Sequence, residues 1–354
     1  MGGSPPPLPM GKYGDLQPSK AGGPPNPAHA LALKQKPDLA NFVKGADYKN
    51  SQFYVLSPVV GGKAVKARRY PPFDFSKWKD ESEKVGKTAT NALYMAKLTG
   101  LDKKMATGMG KQGPFGAIIE LNTLGDKLDG GFSPEQNYIN LSQKNMNATS
   151  EPFFSSSVLL HEWAHQAVFH KNSKKITTSM ADSIADEANS FAYEYAGAYL
   201  AKLNGKPDFW KHDTNEIGVT GEGYKNIALR TAKEFPDLEQ AAKIKNFSVI
   251  EDFLQKLREE YIKNPMYYHL LNYDQRGAKE NGNSTISINV FGNHQRLQQC
   301  FDASPLGQIL NAQSKEGAQP SNLSLLENVK KKIDADNAAR GRPPVLLRRP
   351  TEQP

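Results

Sequence analysis

Cysteine is almost missing from this 354-residue chain: Cys300 stands alone. That excludes an intramolecular disulfide framework and any zinc finger or ribbon built on thiolates, so a metal ion would have to be held by histidines and carboxylates. Nothing near Cys300 in the sequence activates it, and it reads as a passive thiol. Long apolar runs are missing as well. No window offers about 18 uncharged apolar residues, and the opening "MGGSPPPLPMGKYG" has no apolar core of the kind a secretory signal needs. The chain is therefore expected to have no membrane span and to be cytoplasmic at synthesis, with signal-independent export left open.

Acidic residues are the scarcer charge, 37 against 45 Lys and Arg, for a net charge of +8. From Asn328 to Arg349, seven basic residues (Lys330, Lys331, Lys332, Arg340, Arg342, Arg348, Arg349) face only Asp334 and Asp336, which places +5 of the excess in one stretch. A solvated charge run is the simpler explanation. Contact with nucleic acid or an anionic surface is the functional alternative.

Proline is plentiful at the start. Residues 1–28 hold Pro5-Pro6-Pro7, Pro9, Pro24-Pro25 and Pro27 among Gly and Ser, a composition that cannot bury enough apolar surface to offset its ordering entropy. A disordered leader is expected there. "FYVLSPVV" (53–60) and "KAVKARRY" (63–70) alternate as strands do and predict a pair. Residues 80–98 carry acids in the first turn, apolar residues at helical spacing and Gly100 just beyond, the marks of a helix. "FGAIIELN" (115–122) and "NYINLSQ" (137–143) read as strands separated by the turn-rich "TLGDKLDGGFSPEQ". Further helices are predicted over 156–170, over 179–205 closed by Asn204-Gly205, over 224–234 and over 237–263. "STISINVF" (284–291) alternates between glycine turns and predicts a late strand or hairpin arm. The expected division is a leader (1–28), a mixed catalytic-type domain (29–205), a mostly helical part with the late strand (206–311) and a flexible basic tail (312–354).

The chemistry concentrates in "VLLHEWAHQAVFH" (158–170). Successive helical residues advance about 100°, so His161 and His165 stand about 40° apart on adjacent turns and their rings can converge on one cation. Glu162 lies about 60° from His165, beside that cation. This is why His-Glu-x-x-His serves metallohydrolases: two neutral imidazoles bind zinc while the glutamate takes a proton from water. Val158, Leu159, Ala164, Ala167 and Val168 supply the apolar surface that buries such a helix, and Trp163 is compatible with it. Incidental surface histidines are the bland alternative.

A catalytic zinc needs a third protein ligand. Position 168 is Val and 171 is Lys, so the His-Glu-x-x-His-x-x-Gly-x-x-His extension is absent. The ligand should be an acid on a later helix, and "IADEANSFAYEY" offers Glu187, 22 residues after His165, with Asp186 adjacent as the competitor. Asp182, Asp186, Ser190 and Glu194 are placed to hydrogen-bond a ligating imidazole, or are ordinary helix-surface polarity.

"HEWAHQAVFH" followed by "DEANSFA" resembles gluzincin-type bacterial metallopeptidases, the ImmA/IrrE-like group in particular, and is similar to proteobacterial metallopeptidase domains of otherwise unknown function. The likeness covers roughly residues 115–205. It implies a zincin-like α+β fold, with a small mixed sheet packed on the active-site helix and a second ligand-bearing helix, and a mostly helical C-terminal part. It also implies one Zn²⁺ held by His161, His165 and Glu187, with Glu162 as catalytic base. His170 matches a frequent later histidine to which a structural role is given. The helix-turn-helix of some relatives is not found, so repressor cleavage does not transfer.

Zincins place a sheet edge beside the active-site helix, and "NYINLSQ" is expected to take that position and to bind an extended substrate. An oxyanion donor is sought among Tyr193, Tyr195, His212, Tyr267, Tyr268 and His269, with "MYYHLLNY" (266–273) favoured. The leading expectation is a zinc peptidase acting on a protein or peptide. The alternatives are a non-proteolytic zinc-containing binding or sensor module, and a nucleic-acid binder working through the basic tail.

Overall fold

The computed structural model describes residues 51–58, 64–69, 79–108, 118–122, 130–134, 138–143, 154–175, 179–206, 218–266 and 284–316, with six positions between 330 and 339. The chain forms two compact units, one running to Phe169 and the other from His170 onward. The boundary falls inside one continuous helix, Phe154–Lys171. No helix among the described residues is long and apolar enough to cross a membrane.

The first unit is built on a five-stranded mixed sheet: β1 (Ser51–Pro58), β2 (Val65–Arg69), β3 (Ile118–Asn122), β4 (Gly130–Ser133) and β5 (Tyr138–Ser142), in the order β2-β1-β3-β5-β4. The expected pairing of β1 with β2 is present and antiparallel. β3 and β5 run parallel. Helix α1 (Ser82–Thr99) lies against β2, where Thr90 Oγ1 accepts the Val65 N–H at 2.9 Å and so satisfies a backbone donor of the edge strand. Gly100, in the left-handed conformation, closes α1 before α2 (Leu101–Gly108) begins.

Two expectations for this unit are corrected. β4 lies within the stretch read as turns, because its Gly130-Gly131 carries no strand propensity of its own and is held by pairing with β5. In consequence "NYINLSQ" is not the edge: β5 is hydrogen-bonded to β3 on one side and β4 on the other.

Register assigns the two faces. Ile119, Leu121, Ile139 and Leu141 share one, all fully buried. On that face helix α3 (Phe154–Lys171) approaches β4: a Cβ on Gly130 would stand 2.5 Å from Val158 Cγ1, so only glycine fits. The Phe132 and Phe169 rings meet edge-on, 5.5 Å between centroids. On the other face Asn140 donates to Glu120 at 3.3 Å.

The second unit is organised on α4 (Met180–Leu203). Eighteen of its 24 residues are buried, and its run of Ala, Gly and Ser lets neighbours approach on several sides. Ser179 caps its start by accepting the Asp182 N–H at 3.1 Å. Asn204 and Gly205 follow its last residue, as expected. α5 (Tyr224–Ala232) is also present. The single helix expected over 237–263 is two, α6 (Leu238–Ile244) and α7 (Phe247–Lys263). Lys245 takes φ 57°, at a cost of roughly 1–2 kcal/mol for a residue other than glycine, and Asn246 recaps α7 by accepting the Ser248 N–H. Tyr224 and Tyr261 stack at 4.4 Å between α5 and α7, with Phe191 of α4 edge-on to Tyr224 at 4.8 Å. α8 (His294–Ala303) and α9 (Pro305–Glu316) follow.

The late strand is corrected too. Residues 284–291 bury Ile286, Ile288 and Val290 at alternate positions but belong to no sheet. Four of their backbone N–H groups donate to side chains, Ile286 to Gln298, Ser287 and Ile288 to Asp182, and Asn289 to Asn172, while Val290 N–H donates to the Ile288 carbonyl at 3.2 Å.

Candidate metal centre

On α3 the two motif histidines lie one turn apart, as helical spacing requires. Their Nε2 atoms are 3.0 Å from each other and their rings stand at 69°. Two nitrogens about 2.05 Å from one zinc at the tetrahedral angle would be about 3.3 Å apart, so the observed pair is within a few tenths of an ångström of a shared-ion geometry. At 3.0 Å both lone pairs cannot face each other unshielded. One Nε2 carries a proton toward the other, or a cation stands between them. His161 is 7% exposed, and the side chains around it on α3, Leu160, Trp163 and Ala164, are fully buried.

Glu187 of α4 completes the group. One ligand atom from each of His161, His165 and Glu187 lies within 4.8 Å of the others. Asp186, the competitor, is outside that group. Two imidazoles and a carboxylate are a donor set that suits zinc with one position left for water or substrate.

Glu162 is 5% exposed and is not part of the ligand group. Its Oε1 is 3.3 Å from where a Cβ on Gly130 would stand, so the edge strand β4 passes directly beside it. That neighbour was hidden in sequence because Gly130 reads as a turn residue. The signal that could have found it is the short Gly-Gly-Phe-Ser run set between a strand and the next alternating segment.

The supporting residues divide. Ser190 is fully buried and its hydroxyl hydrogen-bonds to no group among the described residues, neither imidazole included. Asp182 is turned to the 284–291 segment instead. Asp186 is half-buried and Glu194 buried, both on α4. Among the eligible oxyanion donors, Tyr193 and Tyr195 belong to the core: Tyr193 lies under the Arg258 guanidinium at 5.2 Å, and Tyr195 is 6.0 Å from the Tyr261 ring. Burial pushes the Tyr193 hydroxyl well above its ordinary pKa. Tyr267, Tyr268, His269 and His212 lie outside the described residues. Burial also raises the Cys300 thiol, with Lys263 opposing, consistent with a passive cysteine. In the basic stretch Lys330 pairs with Asp334, and residues 340–354 lie outside the described residues.

The chain matches no protein-family model, no curated protein and no solved structure.

Proposed function

We propose that this chain is a zinc-dependent peptidase of gluzincin type, akin to the ImmA/IrrE-like group, hydrolysing a peptide bond in a protein or peptide substrate. One observation carries the reading: a His-His-Glu ligand group accompanied by a further buried glutamate, directly after the first histidine, that the group does not use. A structural or sensory metal needs no such extra carboxylate. Bound Zn²⁺ would supply Lewis acidity toward water and toward the scissile carbonyl.

The residues divide the remaining work. His161 and His165 would hold the ion through their Nε2 atoms, and Glu187 through a carboxylate oxygen. Glu162 accepts a proton from the attacking water on its carboxylate and delivers it to the departing amine nitrogen. Among the described strands β4 pairs with β5 alone. An extended substrate adding to the other side of β4 would run its backbone past Glu162.

The test pairs two substitutions in full-length protein. Glu162→Gln should leave zinc content and thermal stability close to wild type, because the ligands remain, while cleavage of a protein substrate falls by about 10²-fold or more. His165→Ala should lose the metal and activity together. A Glu162→Gln protein that cleaves as fast as wild type at matched zinc occupancy would overturn the hydrolytic assignment and leave a zinc-containing binding or sensor module.

A further inference from the structure

The extended segment 284–291 is fastened at both ends of the connection between the two ligand-bearing helices. At the end of α3, Asn172 accepts the Asn289 N–H (2.9 Å) and donates to the Asn289 carbonyl (3.4 Å). Lys171 donates to the Val290 carbonyl (3.2 Å) while standing 4.8 Å from the Phe291 ring centroid. At the start of α4, Asp182, 1% exposed, accepts the Ser287 N–H (2.6 Å), the Ser287 hydroxyl (2.6 Å) and the Ile288 N–H (2.9 Å). Asp182 is the third residue after the Ser179 cap. A carboxylate there commonly turns back to the N–H of the cap residue. Here it holds the segment instead.

A second fastening lies further along α4. Phe291 meets Tyr193 edge-on at 6.1 Å, and the fully buried Arg258 of α7 covers Tyr193 and donates from Nε to Asn189 Oδ1 at 3.0 Å. Gly292 lets the chain leave over this cluster: its φ is 111°, and a Cβ there would stand 2.9 Å from Arg258 Nη1 and 2.3 Å from Gln255 Oε1. Glu187 sits between these anchorages, five residues after Asp182 and two before Asn189.

We infer that residues 284–291 form a clasp that presets the metal site, with Asp182 a positioning residue for Glu187. The inference rests on the metal reading above. A ligand group drawn from two helices binds an ion more tightly when its donors are held in place beforehand, and groups outside the ligand set supply that restraint. The clasp does so with bonds that any loosening of 284–291 would break at several points.

Co²⁺ is the probe, added to metal-free full-length protein and followed by its visible absorption. Asp182→Ala and Gly292→Ala break the clasp from opposite ends without touching a ligand. Each should weaken Co²⁺ binding about tenfold or more, the scale seen when support around metal ligands is removed, and alter the absorption band. Each should also speed hydrogen exchange across 284–291. Because both release one segment, the double variant should lose little beyond the worse single one, whereas two independent destabilisations would add. Asp182→Asn keeps Oδ1 for both backbone N–H groups and should recover most of the affinity. Leu238→Ala in α6, destabilised to a similar degree, should bind Co²⁺ as wild type does. Faster exchange at 284–291 with wild-type Co²⁺ affinity and spectrum would overturn the clasp alone. Failure of wild type itself to bind Co²⁺ would overturn the metal reading and the clasp's role with it.

Discussion

β5 and the segment 284–291 are both extended and both turn alternate residues inward, yet their backbones are satisfied in opposite ways. β5 is held by ladders on its two sides, main chain to main chain. The 284–291 segment is held by Asp182, Asn172, Lys171 and Gln298. Ladder bonds do not depend on which side chains the strand carries. Side-chain fastenings depend on a few named residues, so single substitutions should act differently in the two places: through shape beside the ladder, through lost bonds at the clasp.

The largest effect is expected where the ladder meets a helix. Valine is a better strand former than glycine, so Gly130→Val would be favourable in a ladder judged by propensity alone. The Cβ at this position falls 2.5 Å from Val158 Cγ1, however, and β4 or α3 must shift to make room. Overpacking of this kind should lower stability by roughly 2–3 kcal/mol, read as a lower urea midpoint. Retention of full stability would mean that β4 and α3 are not so closely apposed, and the placement of the edge strand beside Glu162 would fall with it.

A smaller effect is expected at the clasp. Asn172→Ala removes both bonds to Asn289. Asn289 is exposed, so water can take their place and the cost should be about 1 kcal/mol. Asn140→Ala in β5 removes one longer bond to Glu120, 3.3 Å, and leaves every ladder bond intact. It should cost less than Asn172→Ala in the same denaturation experiment. The reverse order would show that 284–291 does not depend on its side-chain fastenings.

The same contrast explains what could be read in the sequence. Alternation of Ile286, Ile288 and Val290 specifies an extended chain with one buried face, which is present. It does not specify what the backbone bonds to. The helices were legible because their stops are chemical, Gly100 after α1 and Asn204-Gly205 after α4. The break between α6 and α7 was not, because Lys245 adopts its left-handed turn without the usual glycine. In the site, His161, Glu162 and His165 follow from four-residue spacing on one helix. Glu187 needed the resemblance, since adjacent Asp186 and Glu187 differ only by 100° of azimuth, which local sequence leaves open. The Gly-Gly-Phe-Ser run hints at a strand at Gly130, but neither its contact with α3 nor the Asp182 fastening was within reach. Each depends on a partner distant in the chain, and Ser287 is 105 residues from Asp182.

The smallest effect should come from side chains that bond near water, and its pH and salt dependence separate it from the uncharged Asn172 fastening. Arg230 bridges Glu222 (3.2 Å) and Glu260 (3.0 Å), and Lys263 also reaches Glu260 (3.1 Å). Burial pushes the Glu260 carboxyl up, but the bonds from Arg230 and Lys263 outweigh it and leave the pKa below its ordinary 4.5. A carboxyl lowered by folding adds stability that is present above 4.5 and is lost as pH falls through the lower folded value. Glu260→Gln should therefore cost a few tenths to about 1 kcal/mol near pH 7, a figure reduced by the exposure of Arg230, and less as ionic strength rises. As pH falls through that lowered pKa wild-type Glu260 takes up a proton, and the gap between wild type and variant should narrow. Asn172→Ala changes no charge, so its direct cost should stay nearly constant across the same series. Urea denaturation of both variants at high and low pH decides the matter. A Glu260→Gln penalty that persists unchanged in acid would show that Glu260 acts through packing, and would remove the distinction drawn between its ionic bonds and the neutral bonds of the clasp.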